Sequence, residues 1–505
     1  MTHIANARLK NLRAFMAALI GLIALNACQD HRIPPQDVPD AVFYGLTETN
    51  QLLRLSAKTP SVAQATVNLT GLQPDERMLG IDFRPATGQL YGVGSSNRLY
   101  VINPATGESR AVGGGAFTPT LNGSVVGFDF NPTVDRIRLV TANGQNLRLN
   151  PETGTVAATD GNLNPGSPMI TAVAYTNNKA GVTTTTLYDI DPNTDRLYRQ
   201  DPPNNGTLVD VGPLGLNVSA VGGFDIGPDG RGIVSVVFDG KPELDYIDLS
   251  TGKLQKLGDL PVTLLGLAIP TEPVAYAVDN GNNLLIFNPM NPAPIAKSIT
   301  GLQSGELIVG LDFRPANGQL YALGSSSRIY TINTSSGAAV AVGSGPFSPA
   351  LSGSDFGFDF NPTVDRIRVV SNLGQNLRLH PETGAVAATD GNLNPGTPTI
   401  TGAAYTNNFA GATTTTLFDI DSNTDKLFRQ DPPNPGGLVE IGSLGVNVEA
   451  ANGFDIGGAS GTAYALLTVG GGTRVYTINL TTGAATAGAI FPTTPVRAMA
   501  VGLGF

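Results

Sequence analysis

The chain repeats itself at long range. Residues 127–138 read GFDFNPTVDRIR, and residues 357–368 read the same twelve letters. PETGTVAATDGNLNPG at 151–166 returns at 381–396 with one change, and GIDFRPATGQLYGVG at 80–94 returns as GLDFRPANGQLYALG at 310–324. Two copies at a fixed offset of 230 residues mean that one structural plan is built twice.

A shorter period lies inside each copy. GIDF at 80, GFDF at 127, AVAY at 172, GFDI at 223 and GLAI at 266 are followed by GLDF at 310, GFDF at 357, GAAY at 402, GFDI at 453 and AMAV at 498, ten units spaced 43 to 51 residues apart. After each tetrapeptide comes a turn such as RPATG or NPTVD, a strand such as QLYGV or RIRLV, a third strand, an Asx-type turn and a short fourth strand. Four short strands per unit, punctuated by turns, predict a β-propeller blade. No segment between Asp40 and Phe505 sustains a helical period, so the fold class is all-β.

Ten blades close in one of two ways. The tenth unit has its first strand at Ala498–Val501, near the chain end, and the strands it lacks are supplied at the start as VFYGLT, QLLRLS and QATVNLT. The known size range of propellers favours two tandem five-bladed propellers, at residues 41–270 and 271–505. The alternative is a single ten-bladed ring, and GLAI-PTEP-VAYAV at 266–278, which reads as a hairpin within one blade, favours it.

Arg8, Lys10 and Arg13 precede an apolar run from Ala14 to Leu25, a signal-peptide core too short to span a bilayer. Leu25-Asn26-Ala27-Cys28 follows and resembles a bacterial lipobox, with residues 1–27 as lipoprotein signal peptide and Cys28 as the lipidated first residue. Cys28 is also the sole cysteine, so it can form no internal disulfide. Residues 28–40, with three prolines, read as a tether. Gln29-Asp30 does not place Asp where an inner-membrane retention signal has it, so the expectation is an exported protein held by lipid at the outer membrane. A net charge of −10 with no Lys/Arg run excludes a nucleic-acid partner.

GIDFRPATGQLYGVG, GFDFNPTVDRIRLV, NGQNLRLNPETG, AYTNN with TTTTLYDID, and GFDI together resemble the bacterial family called domain of unknown function 4394, in two copies over residues 41–505. The resemblance implies a repetitive β fold in exported proteins. It brings no activity, substrate or catalytic residue.

Catalytic chemistry is sparse. Of three histidines, His3 lies in the signal, His31 lies in the tether, and His380 is matched by Asn150 in the first copy. A zinc site or a Ser-His-Asp triad in each copy is thereby excluded, and HExxH, GxSxG and GKS/GKT motifs are missing. Asp82, Asp129, Asp225, Asp312, Asp359 and Asp455 sit within the tetrapeptides; they read either as a cation-binding ring of carboxylates facing a central channel or, preferably, as caps for backbone N–H groups of a neighbouring turn. Asp189, Asp191, Asn193 and Asp195, with Asp419, Asp421, Asn423 and Asp425 in the second copy, alternate oxygen side chains as half of a calcium loop would, and Ca2+ is the one cofactor the sequence suggests. The loop lacks the glycine and distal Glu of that motif, and a plain β-turn stands at the same place in other units.

Polar residues that break the blade symmetry concentrate in two units per copy. Arg136, Arg138, Gln145, Asn146, Arg148, Asn177 and Asn178, repeated as Arg366, Arg368, Gln375, Asn376, Arg378, Asn407 and Asn408, are the candidate ligand-binding set. Against that stands an inter-blade bracing network in which Asp135 satisfies Arg136 or Arg148. The functional expectation is a non-catalytic, lipid-anchored envelope propeller that binds a protein or carbohydrate. The alternative is a lactonase-like, metal-assisted propeller hydrolase acting on a small substrate.

Overall fold

A computed structural model describes residues 35, 37–449, 453–492 and 495–505. The signal segment, Cys28 and most of the tether lie outside the described residues. The described strands form ten four-stranded antiparallel sheets, one per tetrapeptide, and one short 3-10 turn covers Pro203–Asn205. Each tetrapeptide lies on the first strand of its sheet. We number the sheets as blades 1 to 5 by Met78–Phe83, Val126–Asn131, Ala172–Tyr175, Ala220–Ile226 and Leu264–Ala268. Blades 6 to 10 follow by Ile308–Arg314, Phe356–Asn361, Ile400–Tyr405, Phe454–Ile456 and Val496–Val501.

These first strands touch in cyclic order. Blade 1 meets 2, 2 meets 3, 3 meets 4, 4 meets 5, and 5 returns to 1; blades 6 to 10 do the same among themselves. The blades thus form two sets of five, as in two five-bladed propellers. The N-terminal strands Val42–Thr47, Gln51–Ser56 and Ala65–Asn68 complete blade 5, with Tyr44 opposite Ala268, and not the tenth blade that the sequence pattern pairs them with. VAYAV after GLAI is likewise not a hairpin partner within its blade. Its strand, Ala275–Asp279, crosses over to pair with Val496–Val501 in blade 10. Position-by-position strand patterns do not distinguish these pairings, because all the candidate strands are equally apolar.

Hydrophobic burial explains the cyclic order. A blade with neighbours on both sides buries both faces, and an apolar core sits at every blade boundary. Tyr91 and Val93 of blade 1 pack on Phe128 and Phe130 of blade 2. Val140 meets Val173, and Ile190 meets Phe224. Ile233 meets Phe43, and Leu52 closes the set against Phe83 of blade 1. In the second set, Leu323 meets Phe358, Val370 meets Ala403, and Ile420 meets Phe454. Val475 then meets Phe287, and Tyr276 closes back on Phe313. The glycine that opens most tetrapeptides belongs to the same packing. A Cβ on Gly223 would lie 2.4 Å from the backbone nitrogen of Leu267, and one on Gly357 would lie 2.7 Å from that of Ala403. First strands approach so closely only where one lacks a side chain.

Because each set of five carries its own complete circuit of cores, residues 41–270 expressed alone are expected to give a monomer that unfolds in one cooperative β-sheet transition. Denaturant melts followed by circular dichroism check this, and an aggregating product without a transition would contradict it.

Candidate functional site

The tetrapeptide aspartates occupy three of every five first strands. Alanine holds the matching place in the others, at Ala174, Ala268, Ala404 and Ala500. Asp82 accepts from its own Phe83 N–H at 2.7 Å and from Phe130 N–H of the next blade at 2.8 Å. Asp225 does the same with Ile226 and Ile269, both at 2.6 Å, while Asp129 accepts from Tyr175 N–H at 3.1 Å. In the second set Asp312 takes Phe313 and Phe360, Asp455 takes Ile456 and Val501, and Asp359 takes Tyr405. The capping expectation therefore holds, with neighbouring first strands as donors where a turn was expected. The carboxylates also converge: in each set one oxygen from each of the three lies within 4.8 Å of the others. All six residues are 3% exposed or less. Burial is the leading cause that raises these carboxyls, and it pushes Asp225 and Asp455 up to about 7.

The candidate ligand-binding residues are largely consumed by structure. Arg138, 2% exposed, donates to Tyr175 Oη at 3.3 Å, Asn146 Oδ1 at 2.7 Å, Asp160 Oδ2 at 2.6 Å and Asn204 Oδ1 at 2.8 Å, which ties blade 2 to blade 3. Arg148 clasps Asp160 with two bonds of 2.8 Å. Burial alone would raise the Asp160 carboxyl, but the Arg148 and Arg138 guanidiniums outweigh it and hold the group below the usual range. Arg368, Asn376, Arg378, Asp390, Tyr405 and Asn434 repeat the cluster in the second set. Gln145 and Gln375 hold the loops at Thr120 and Ala350, and Asn177 and Asn407 hold Thr184 and Thr414. Arg136 and Arg366 donate to the carbonyls of Asp135 and Asp365. Asn178 and Asn408 are buried, with Asn178 Oδ1 and both polar side-chain atoms of Asn408 unpartnered among the described residues. The bracing network exists, but with different partners from those expected.

Asp135 pairs with neither Arg136 nor Arg148 through its carboxylate. It receives Arg84 of blade 1, at 2.8 and 2.5 Å, and Arg84 also reaches Glu152 at 3.0 Å. Arg84 is fully buried and donates its remaining Nη1 to the Gly318 carbonyl of the second set at 3.0 Å. It went unnoticed in the sequence because RPATG reads as an ordinary turn, and its partners lie 51 and 234 residues away.

In the expected calcium loop, two of the alternating carboxylates are engaged by backbone N–H groups. Asp191 Oδ1 accepts from Asn193 and Thr194 N–H and its Oδ2 from Met169 N–H, an Asx-type turn, while Asp195 accepts from Val218 N–H. Asp421 and Asp425 repeat this with Asn423, Thr424, Thr399 and Val448. Asp189 and Asp419 are fully buried, and neither carboxyl has a hydrogen-bond partner among the described residues. Among the described residues neither loop gathers three acidic ligands. The strand ends at Asp191, so Asn193 and Asp195 lie in the turn beyond it and do not continue the face that Asp189 and Asp191 share, and the oxygens serve a core, a turn and the following loop separately.

One side of the junction between the two sets is open. Two adjoining cavities of about 820 and 490 Å3 are lined by Thr106, Glu108 and Arg110 of the first set and by Asp365, Asn407, Phe409 and Ser460 of the second. The counterpart of Arg84 is Arg314, which binds Asp365 at 2.9 and 2.5 Å and Glu382 at 2.6 Å. There the acidic partners stay 37% and 61% exposed, whereas those of Arg84 are closed over by Gly318 and Thr334.

Two measurements follow. Replacing Arg138 with Ala takes its donors from Asn146 and Asn204 and leaves buried Asp160 with Arg148 alone, and the unfolding free energy is expected to fall by about 3 to 5 kcal/mol; an unchanged denaturant midpoint would refute the bracing role. Burial pushes the Asp419 carboxyl up to about 8 against the pull of Arg368, and raises Asp189 in the same way. An acid with a raised folded pKa lends its full stability below the unfolded value near 4, and loses it as pH climbs toward the folded value. Melts from pH 4 to 8 should therefore show a steeper loss for the wild type than for Asp189→Asn/Asp419→Asn, and parallel curves would refute the assignment.

No curated protein matches the chain by sequence. Among solved structures it is similar to the extracellular domain of the putative one-component system BT4673 from B. thetaiotaomicron, at 11% identity and a TM-score of 0.26, over 91% of this chain and 66% of that one. It is similar also to PorZ, a bacterial surface component of the type-IX secretion system of Porphyromonas gingivalis, at 12% identity and a TM-score of 0.26, over 90% of this chain and 60% of that one. No described helix is long and apolar enough to cross a membrane. The profile of one family matches twice, over residues 51–268 and 283–500, and the chain belongs to that family, the domain of unknown function (DUF4394).

Proposed function

We propose that this is an exported protein, lipid-anchored at Cys28 in the outer membrane, whose tandem blades act as a non-catalytic binding module for a carbohydrate or protein ligand. The observation that carries the binding reading is the open cleft at the junction of the two sets. Its volume falls in the range of ligand sites, and such sites favour boundaries between structural units. Half-buried Phe409 offers an apolar ring face, and around it Asn103 Nδ2, Asn407 Oδ1 and the Ser460 hydroxyl proton are the hydrogen-bonding groups that the local turns do not use, a combination suited to a sugar. The Arg138 and Arg368 clusters, by contrast, have their donors already engaged.

The metal-assisted hydrolase reading needs a metal that substrate can reach. Both carboxylate clusters among the described residues are buried. The cavity among the first strands of blades 1 to 5 measures about 20 Å3, room for about one water.

Screening the mature protein on a glycan array tests the binding reading. Ala105→Trp, at an exposed position on the cleft wall, is expected to weaken the glycans bound by the wild type by about tenfold or more without moving the melting temperature. A wild type that binds neither glycans nor envelope proteins, or a variant that binds normally, would sink it. Cys28→Ser is expected to abolish fatty-acid labelling and membrane fractionation, and persistence of both would refute the anchor.

A further inference from the structure

The hydrogen-bond accounting at the centre of each set leaves a remainder. Five first-strand N–H groups follow the aspartate or alanine position: Phe83, Phe130, Tyr175, Ile226 and Ile269 in the first set. Phe313, Phe360, Tyr405, Ile456 and Val501 match them in the second. Three carboxylates bring six oxygens to these five donors, and Asp129 and Asp359 each use only Oδ1. Asp359 Oδ2 is buried without a hydrogen-bond partner among the described residues. An ionised oxygen left so would cost several kcal/mol.

The charges are unbalanced too. The hydrogen bonds to these six carboxyls come from backbone N–H groups, and none of the six forms an ion pair with Lys, Arg or His among the described residues. At Asp129 and Asp359, which accept one N–H each, capping alone would be met by a neutral Asn. The geometry suits a small hard ion. Calcium bonds oxygen at about 2.4 Å, so ligands on opposite sides of one ion stand about 4.8 Å apart. The three carboxylate oxygens of each set lie within that separation. The methyl groups of Ala174 and Ala268, or Ala404 and Ala500, take little room at the two remaining positions.

We propose that each set of blades holds one divalent, oxygen-preferring cation of the calcium class at its centre, bound by Asp82, Asp129 and Asp225 in the first set and by Asp312, Asp359 and Asp455 in the second. The ion gives the spare oxygen its partner and offsets three converging charges. It joins first strands that share no sheet, which makes it a structural ion and not a catalytic one. This site is independent of the ligand-binding cleft.

Metal analysis of the purified mature chain by mass spectrometry, followed by thermal melts after chelation and on re-addition of Ca2+ or Mg2+, tests the proposal. One ion per set is expected, with a melting temperature that falls on chelation and recovers by roughly 5 °C or more with the ion restored. Asp129→Asn and Asp359→Asn keep the acceptor for the Tyr175 or Tyr405 N–H and replace the spare oxygen with an amide donor. Each is expected to lose one ion and keep the other. A wild type without stoichiometric metal and with melts indifferent to Ca2+ and Mg2+ would overturn the proposal and leave the spare oxygen to a proton. Wild-type metal content and ion dependence decide the matter even where a variant fails to fold.

Discussion

Everything in this fold depends on the channel-facing edge of the first strands. A blade between two neighbours buries both faces, so the first strand has an inner edge whose N–H groups find no partner in their own sheet. Three carboxylates per set answer five such groups, each of the three bridging a blade to the next. That demand explains the tetrapeptide. Glycine opens it because the strands approach within contact of a Cβ, aspartate follows for the edge, and a large apolar residue closes it against the next core.

The two copies share their internal chemistry and differ in their surroundings. Arg138 and Arg368 make the same four contacts within 0.1 Å of each other, which marks the network as a property of the blade pair. Arg84 and Arg314 begin from the same turn and the same Asp/Glu partners, yet only Arg84 is sealed beneath the other set. Docking of one set against the other breaks the symmetry that the duplication created. The cleft lies on the side where the sealing contacts are not repeated.

Much of the architecture was legible because its signals are local. Tetrapeptides, turns and strand alternation gave ten blades and their order, since each depends on neighbours a few residues apart. Pairings across hundreds of residues were not legible. Val42–Thr47 and Ala275–Asp279 have similar apolar patterns, and only three-dimensional closure assigns one to Leu264–Ala268 and the other to Val496–Val501. The same limit hid the partner of Asp135. It also drew attention to Asp191 and Asp195, which are adjacent in sequence, while the carboxylates that converge come from different blades. Side-chain spacing along one strand says little about groups that meet across a ring.

The way each set is fastened gives it an order of assembly. In both, the sheet that closes the circle joins strands from the two ends of its segment: Val42–Thr47 waits for Leu264–Ala268, and Ala275–Asp279 waits for Val496–Val501. A chain that emerges from its N-terminus can close the first circle while the second is still being made. The second cannot close until Val496–Val501 has arrived. For more than 200 residues of synthesis or translocation, the edge of Ala275–Asp279 stands without its mate. In that interval the finished first half is the surface on which the second is laid down.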